Sequence, residues 1–271
     1  MEWWESIVLG LVQGLTEFLP VSSSGHLMIS RDLLGIESDG FLDFTVTVHF
    51  ATVLSTIVVF RHTIWDLIKG VFKFRYNDQT DYFLKICVSM IPVAVVGFFF
   101  KDKVEGLFGE GLGTVAACLL VTAALLCFSD VFTRKVRINN SYRNGISWWQ
   151  AFVVGLGQTC AVAPGLSRSG TTIATGLICG VRRESMAQFS FLMVLIPIIG
   201  EQTLSILDTA LSGTSAASAH LGFLPLALGF LSAFVSGLLA CKIMVALVKK
   251  SKLSWFALYC MIVAVLIFAL S

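Results

Sequence analysis

Charge is what this sequence has least of. Asp, Glu, Lys and Arg make up 13% of its 271 residues, against about 25% in a soluble globular domain. That shortage excludes an ordinary water-soluble enzyme. The net charge of +2 at pH 7 is too small for the basic footprint of a nucleic-acid binder. The cysteines lack pattern as well. There are seven, an odd number, none spaced CxxC, all in or at the ends of apolar stretches; they read as small helix-packing residues rather than a disulfide or metal framework. The N-terminus, beginning Met1-Glu2-Trp3-Trp4-Glu5, lacks the basic n-region of a cleavable signal, so the first apolar segment is expected to stay in the mature protein. What is abundant is apolar: 56% of residues are hydrophobic and 22 are Phe, which argues against disorder. The composition is that of an integral membrane protein.

A bilayer core needs about 20 apolar residues per helical crossing. Stretches near 41–60, 83–100, 111–132, 187–207 and 223–247 meet that length, and 253–270 is a slightly shorter sixth. The polar connections near 61–82, 101–110, 133–146, 181–186, 208–222 and 248–252 are too short to be separate domains.

Two regions break this pattern. Residues 6–19 are apolar and end at Pro20, followed by the polar turn from Ser22 to His26 and a short apolar piece to Leu34. Residues 148–163 end at Pro164, followed by the turn from Gly165 to Thr172 and a short piece to Cys179. Each predicts two half-length helices around a Gly- and Ser-rich turn. Broken backbone at membrane depth survives only where protein buries it or it lines a wet cavity.

At a shift of 145 residues, Gly10 falls on Gly155, Gln13 on Gln158, Ser22 on Ser167, Ser24 on Ser169, Gly25 on Gly170, Gly35 on Gly180 and Phe44 on Phe189. The chain therefore reads as one membrane domain, 1–271, made of a duplicated unit, about 1–135 and about 146–271. If each broken region is a re-entrant hairpin, the basic residues of 61–85, 134–143, 182–183 and 249–252 share one face, leaving only Arg31, Lys101 and Lys103 opposite. The positive-inside rule favours this arrangement. Each half then has one hairpin and three crossings, the second copy is inverted, and both termini are expected on the non-cytoplasmic side. The fold expected is an all-α polytopic membrane protein with an inverted-topology repeat.

Ionisable residues are costly in a membrane and mark function by default; here Glu17, His26 and Arg168 sit at the two turns. Gln13 and Glu17, spaced i, i+4, share a helix face. The second turn opens a short helix whose free N–H groups favour an anion, and Arg168 adds a donor fork suited to phosphate. Glu17 is suited to hold a divalent cation or to deprotonate a neighbour, His26 to carry a proton, and a serine beside it to act as nucleophile. Packing roles stay open for Ser22, Ser24 and Thr171, and a structural ion network for Glu17, His26 and Arg168. His49 and Glu201 lie inside expected spans, where they are structural or line the cavity. His62 and His220 fall in connections.

The stretches QGLTEFLPVSSSGH, from Gln13 to His26, and PGLSRSGTT, from Pro164 to Thr172, resemble the two signature motifs of the undecaprenyl-diphosphate phosphatase family linked to bacitracin resistance. The resemblance covers essentially the whole chain. It implies hydrolysis of undecaprenyl diphosphate to undecaprenyl phosphate and inorganic phosphate in the bacterial cell membrane, recycling the lipid carrier for peptidoglycan, with Mg2+ or Ca2+ as the implied cofactor. The active site is expected to open to the non-cytoplasmic side. The resemblance assigns catalysis to Glu17, Ser23, His26 and Arg168, and substrate contacts to Gln13, Ser22, Ser167, Ser169, Gly170 and Thr172. The family's acidic motif takes Glu or Gln at its first place, here Gln13, so Gln13 and Glu17 are the expected metal residues. Ser23 would attack the terminal phosphorus with His26 taking the proton, and direct attack by water is the alternative. The expected partners are a polyprenyl diphosphate and membrane lipids, with a homodimer left open and nucleic acid excluded. A membrane acid-phosphatase type shares only Ser24-Gly25-His26 and lacks its other motifs here. The rival of a different class is a secondary transporter or lipid flippase, since half-helix tips at the midplane are transporter architecture.

Overall fold

The computed structural model describes residues 1–36, 40–100, 111–133, 142–161, 163, 165–212, 222–250 and 252–270. Pro164, His220, Lys101, Lys103, Arg134, Lys135 and Arg137, on which parts of the sequence reading rest, lie outside the described residues, as do the side chains of Glu201, Lys249 and Lys250. Eleven α-helices are described: α1 (Trp3–Phe18), α2 (Ser23–Leu34), α3 (Phe41–Val59), α4 (Arg61–Val71), α5 (Asp78–Phe99), α6 (Leu112–Thr133), α7 (Trp148–Cys160), α8 (Arg168–Ile178), α9 (Arg183–Ser212), α10 (Phe223–Lys250) and α11 (Ser254–Leu270). No strand occurs among the described residues.

All six expected spans are helical, as α3, α5, α6, α9, α10 and α11. Among the described residues α5, α6 and α10 are long and apolar enough to cross a membrane, and α3 qualifies together with α4 across a 75° bend. The exterior is correspondingly apolar, with Leu11, Phe152, Val235 and Val265 all exposed. This suits a polytopic membrane protein. The connection 61–82 departs from expectation, because α4 fills its first half. Arg61, Asp66 and Lys69 alternate there with Ile64, Leu67 and Ile68 at helical spacing, so an amphipathic helix reads locally as a polar loop. Lys85, counted among the residues marking a wet face, is only 2% exposed. Its Nζ donates to Asp81 Oδ2 at 2.6 Å and to the Arg143 carbonyl at 3.0 Å, which ties α5 to the segment before α7.

The two half-helix pairs are local consequences of sequence. Glu2 and Glu5 form a capping box at the start of α1. Leu19 is extended ahead of Pro20, whose ring lacks an N–H and disfavours α geometry in the preceding residue. Ser22 then caps α2, its Oγ accepting from Gly25 N at 3.3 Å, and Gly35 closes it at φ 64°, a left-handed conformation glycine adopts without penalty. In the second pair, Ser147 and Gln150 form the capping box of α7. Ser167 Oγ accepts from Gly170 N at 3.1 Å to cap α8.

Small residues let the half-helices pack closely on long ones. A Cβ at Gly10 would collide with Ser232 Oγ and the Gly229 carbonyl of α10, and one at Gly155 with the Ser89 carbonyl of α5. Gly155→Val is therefore expected to destabilise the protein by about 3 kcal/mol, since overpacking against backbone has no rotamer escape. Thermal unfolding in detergent should show a lowered midpoint. Gly113→Ala, at a site with nothing within 4 Å, should leave it unchanged or raised.

Candidate active site

The two breaks meet inside the bundle. Ser169 Oγ donates to the Leu19 carbonyl at 3.1 Å, joining the start of α8 to the end of α1. A Cβ on Gly25 would lie 3.6 Å from Gly165 Cα, so the two turns also touch through their glycines. Beside this junction lies a cavity of about 430 Å³. Its polar wall includes Glu17, Ser23, His49, Arg168 and Ser169, and its apolar wall Val194, Leu195 and Ile198 of α9. Mixed polar and apolar lining is what an amphiphilic ligand requires.

Glu17 is the hub. Its Oε2 accepts from Gln13 Nε2 at 2.8 Å and from Ser23 Oγ at 2.5 Å, so the i, i+4 spacing on α1 does bring Gln13 and Glu17 together. His49 Nε2 lies 3.7 Å from the same oxygen, while its Nδ1 donates to the Thr45 carbonyl at 2.8 Å. Arg168 occupies the first turn of α8 on the same cavity. Among the described residues no hydrogen bond ties the Arg168 guanidinium down. An Arg with no such bond, lining a cavity beside the N-terminus of a helix, has its donors available to an anion.

The remaining expected residues divide into two groups. Ser22 caps α2 with φ 68° and ψ 94°, a conformation a non-glycine residue holds at a cost of about 1–3 kcal/mol, and its Oγ lies 3.4 Å from Ser24 Oγ. Ser167 and Ser169 repeat that pair, also at 3.4 Å. Thr172 and Gly170 are buried and absent from the cavity wall. The Thr172 hydroxyl meets Ser190 Oγ at 2.6 Å and donates to the Arg168 carbonyl at 2.9 Å, so it braces the backbone that carries Arg168. His26 also differs from expectation. Its Nδ1 donates to the Ser22 carbonyl at 2.8 Å and its Nε2 meets Tyr259 Oη at 2.8 Å. The acceptor for the Ser23 hydroxyl is the Glu17 carboxylate, not the imidazole.

The donor set also fits a divalent cation. Gln13 Oε1 is buried with no hydrogen-bond partner, an orphaned oxygen on the side chain that already touches Glu17. Both Glu17 hydrogen bonds fall on Oε2, leaving Oε1 for another ligand. Among the described residues no three His, Cys, Asp or Glu side chains converge on a metal position. A hard cation here would thus complete its shell with serine, phosphate or water oxygens, as Mg2+ commonly does.

Two broken helices, a serine bonded to a carboxylate and an arginine without a side-chain hydrogen bond among the described residues, all on one cavity, narrow the choice of family, and comparison decides it. A family model described as bacitracin resistance protein BacA matches residues 6–266. The chain belongs to that family. The BacA match takes in both helix breaks and every cavity residue named above. An undecaprenyl-diphosphatase of Bacteroides fragilis is 52% identical over 271 residues, covering 100% of this chain and 99% of the relative. One from Parabacteroides distasonis is 53% identical over 262 residues, covering 97% and 96%. One from Methanobrevibacter smithii is 36% identical over 282 residues, covering 99% and 97%.

Proposed function

We propose that this chain hydrolyses undecaprenyl diphosphate to undecaprenyl phosphate and inorganic phosphate, recycling the lipid carrier of peptidoglycan synthesis and conferring resistance to bacitracin. Relatives about half identical over the whole chain carry the name of that activity. The observation that carries the reading is the Ser23–Glu17 hydrogen bond of 2.5 Å on the cavity that Arg168 also lines. A nucleophile with its base and a phosphate-binding cation face one another, inside a bundle whose exterior suits an isoprenoid tail.

Arg168 and the first amides of α8 bind the diphosphate and stabilise charge on the terminal phosphoryl oxygens. Ser23 Oγ attacks the terminal phosphorus as its proton passes to Glu17 Oε2, and the bond to the bridging oxygen breaks, releasing undecaprenyl phosphate. Water then attacks the phosphoserine, releasing inorganic phosphate and restoring the Ser23 hydroxyl. His26 holds the Ser22 carbonyl and with it the turn that aims Ser23. A divalent cation, Mg2+ or Ca2+, held by Glu17 and Gln13 would add charge neutralisation at the phosphate oxygens. Ser167 and Ser169 complete the phosphate cradle, while Thr172 and Gly170 support it from behind.

The molecule is a single membrane domain of two inverted repeats, each with a re-entrant hairpin, formed by α1–α2 and by α7–α8. Three observations support this. The Ser22–Gly25 cap and the Ser22–Ser24 contact recur at Ser167–Gly170 and Ser167–Ser169. The residues Phe44 and Phe189, 145 apart, are both fully buried. Helix α1 packs on α10 as α7 packs on α5, an exchange between halves expected of inverted copies. The distribution of basic residues supports non-cytoplasmic termini and a cavity opening on that side.

Phosphate release from undecaprenyl diphosphate by the purified chain in detergent tests the activity, and a transporter would release none. Addition of a chelator is expected to abolish release, and no effect would remove the cation from the mechanism. Ser23→Ala is expected to lower kcat at least a hundredfold. Near-normal turnover in that variant would replace the covalent route by direct attack of water.

A further inference from the structure

Helix α11 braces the first turn at two successive residues. Tyr259 Oη meets His26 Nε2 at 2.8 Å, and the two rings lie near-parallel, 11° apart with centroids 5.6 Å apart. Next to it, buried Cys260 Sγ donates to the Pro20 carbonyl at 3.7 Å. The other nitrogen of His26 fixes the chemistry of this contact. Nδ1 lies 2.8 Å from the Ser22 carbonyl, and a carbonyl only accepts, so Nδ1 carries a hydrogen. In the neutral ring Nε2 is then a bare acceptor, and the Tyr259 hydroxyl must donate to it. If Nε2 gains a proton, the same hydroxyl rotates and accepts. Phenylalanine at this position would keep the ring and lose the partner.

We propose that Tyr259 is a positioning residue that acts through His26 on the nucleophilic turn. This rests on the phosphatase reading of the site. Tyr259 holds the imidazole ring in the orientation in which its Nδ1–H reaches the Ser22 carbonyl, and that carbonyl fixes the tautomer. That carbonyl belongs to the residue at φ 68°, whose geometry sets where Ser23, the next residue, directs its Oγ. Tyr259 does not line the cavity, so it influences turnover without touching substrate. The chain of contacts runs from α11 through α2 to the Ser23–Glu17 pair, across 233 residues of sequence between His26 and Tyr259.

The test uses the full chain in detergent. Tyr259→Phe is expected to lower kcat about five- to tenfold, the effect of one net hydrogen bond, with KM unchanged. In a double-mutant cycle, Tyr259→Phe should cost nothing further in a His26→Gln background. In histidine 15N spectra, with the His26 signals assigned by their loss in His26→Gln, the Nε2 resonance should be that of a hydrogen-bonded acceptor in the wild type and move toward that of an unbonded imine nitrogen in Tyr259→Phe. The proposal is overturned if Tyr259→Phe leaves both kcat and the Nε2 resonance at wild-type values, or if it costs as much without His26 as with it. Wild-type protein that releases no phosphate would sink the phosphatase reading instead, and the Nε2 resonance would still decide whether Tyr259 holds His26.

Discussion

Arg168→Ala is expected to lower phosphate release by about a thousandfold, with Arg168→Lys recovering only part of the loss. The magnitude follows from where the guanidinium stands. It shares the cavity with Glu17 and Ser23, it opens α8 behind the capping Ser167, and no hydrogen bond among the described residues occupies it. Removal of one preorganised donor from a phosphoryl or acyl transition state costs about 100- to 1000-fold, and loss of an arginine at phosphoryl transfer as much or more. Lysine restores the charge without the planar fork, so it should bind the diphosphate as a point charge and align it poorly. Thermal midpoints in detergent should stay close to the wild type, since no side-chain hydrogen bond among the described residues is lost. An Arg168→Ala enzyme with near-normal kcat/KM would refute the assignment.

Glu17→Gln is the second variant with a large expected effect, a fall in kcat of about 100- to 10,000-fold. An amide keeps the size of the carboxylate and can still accept from the Ser23 hydroxyl, but it takes no proton. It also removes the negative charge that faces His49 at 3.7 Å and the oxygen left over for a cation. The two roles separate by measurement. If Glu17 acts as a base alone, the affinity for Mg2+ or Ca2+ that supports residual turnover should stay at the wild-type value; if it also holds the cation, the midpoint of activation should move to higher concentration. Unaltered kcat at saturating cation would eliminate Glu17 as the base.

The parts of the molecule legible in the sequence are those with a periodic or repeated signal. Long apolar runs marked α3, α5, α6, α9, α10 and α11 because a bilayer sets a length scale. Identities at a fixed shift picked out Ser22 and Ser167, and both are helix caps. The i, i+4 spacing of Gln13 and Glu17 correctly implied a shared face. Helix α4 was hidden because its charged residues outweigh its apolar stripe over only 11 residues. His49 reads from sequence as either structural or cavity-lining, and its approach to Glu17 of α1 has no sequence signal; nor has that of Tyr259 to His26, because both partners come from other elements. Thr172 looked equivalent to Ser169 in the motif, yet it stands one turn further along α8, where it meets Ser190 of α9. The hydrogen-bond partner of Ser23 was not legible because His26 closes back on the carbonyl four residues earlier. Adjacency in a turn does not reveal such a folded-back ring.

Ser23 and Arg168 are each the first helical residue after a capping serine, Ser22 for α2 and Ser167 for α8. In the proposed reaction one copy of the cap would present a hydroxyl to be phosphorylated, and the other the cation that steadies the phosphate. Two identical units associating as a symmetric pair would place the same side chain at both positions and would lack one half of the reaction. Carrying both copies on one polypeptide would let the same backbone geometry be specialised in opposite chemical senses, and would make the active site asymmetric where the two caps match.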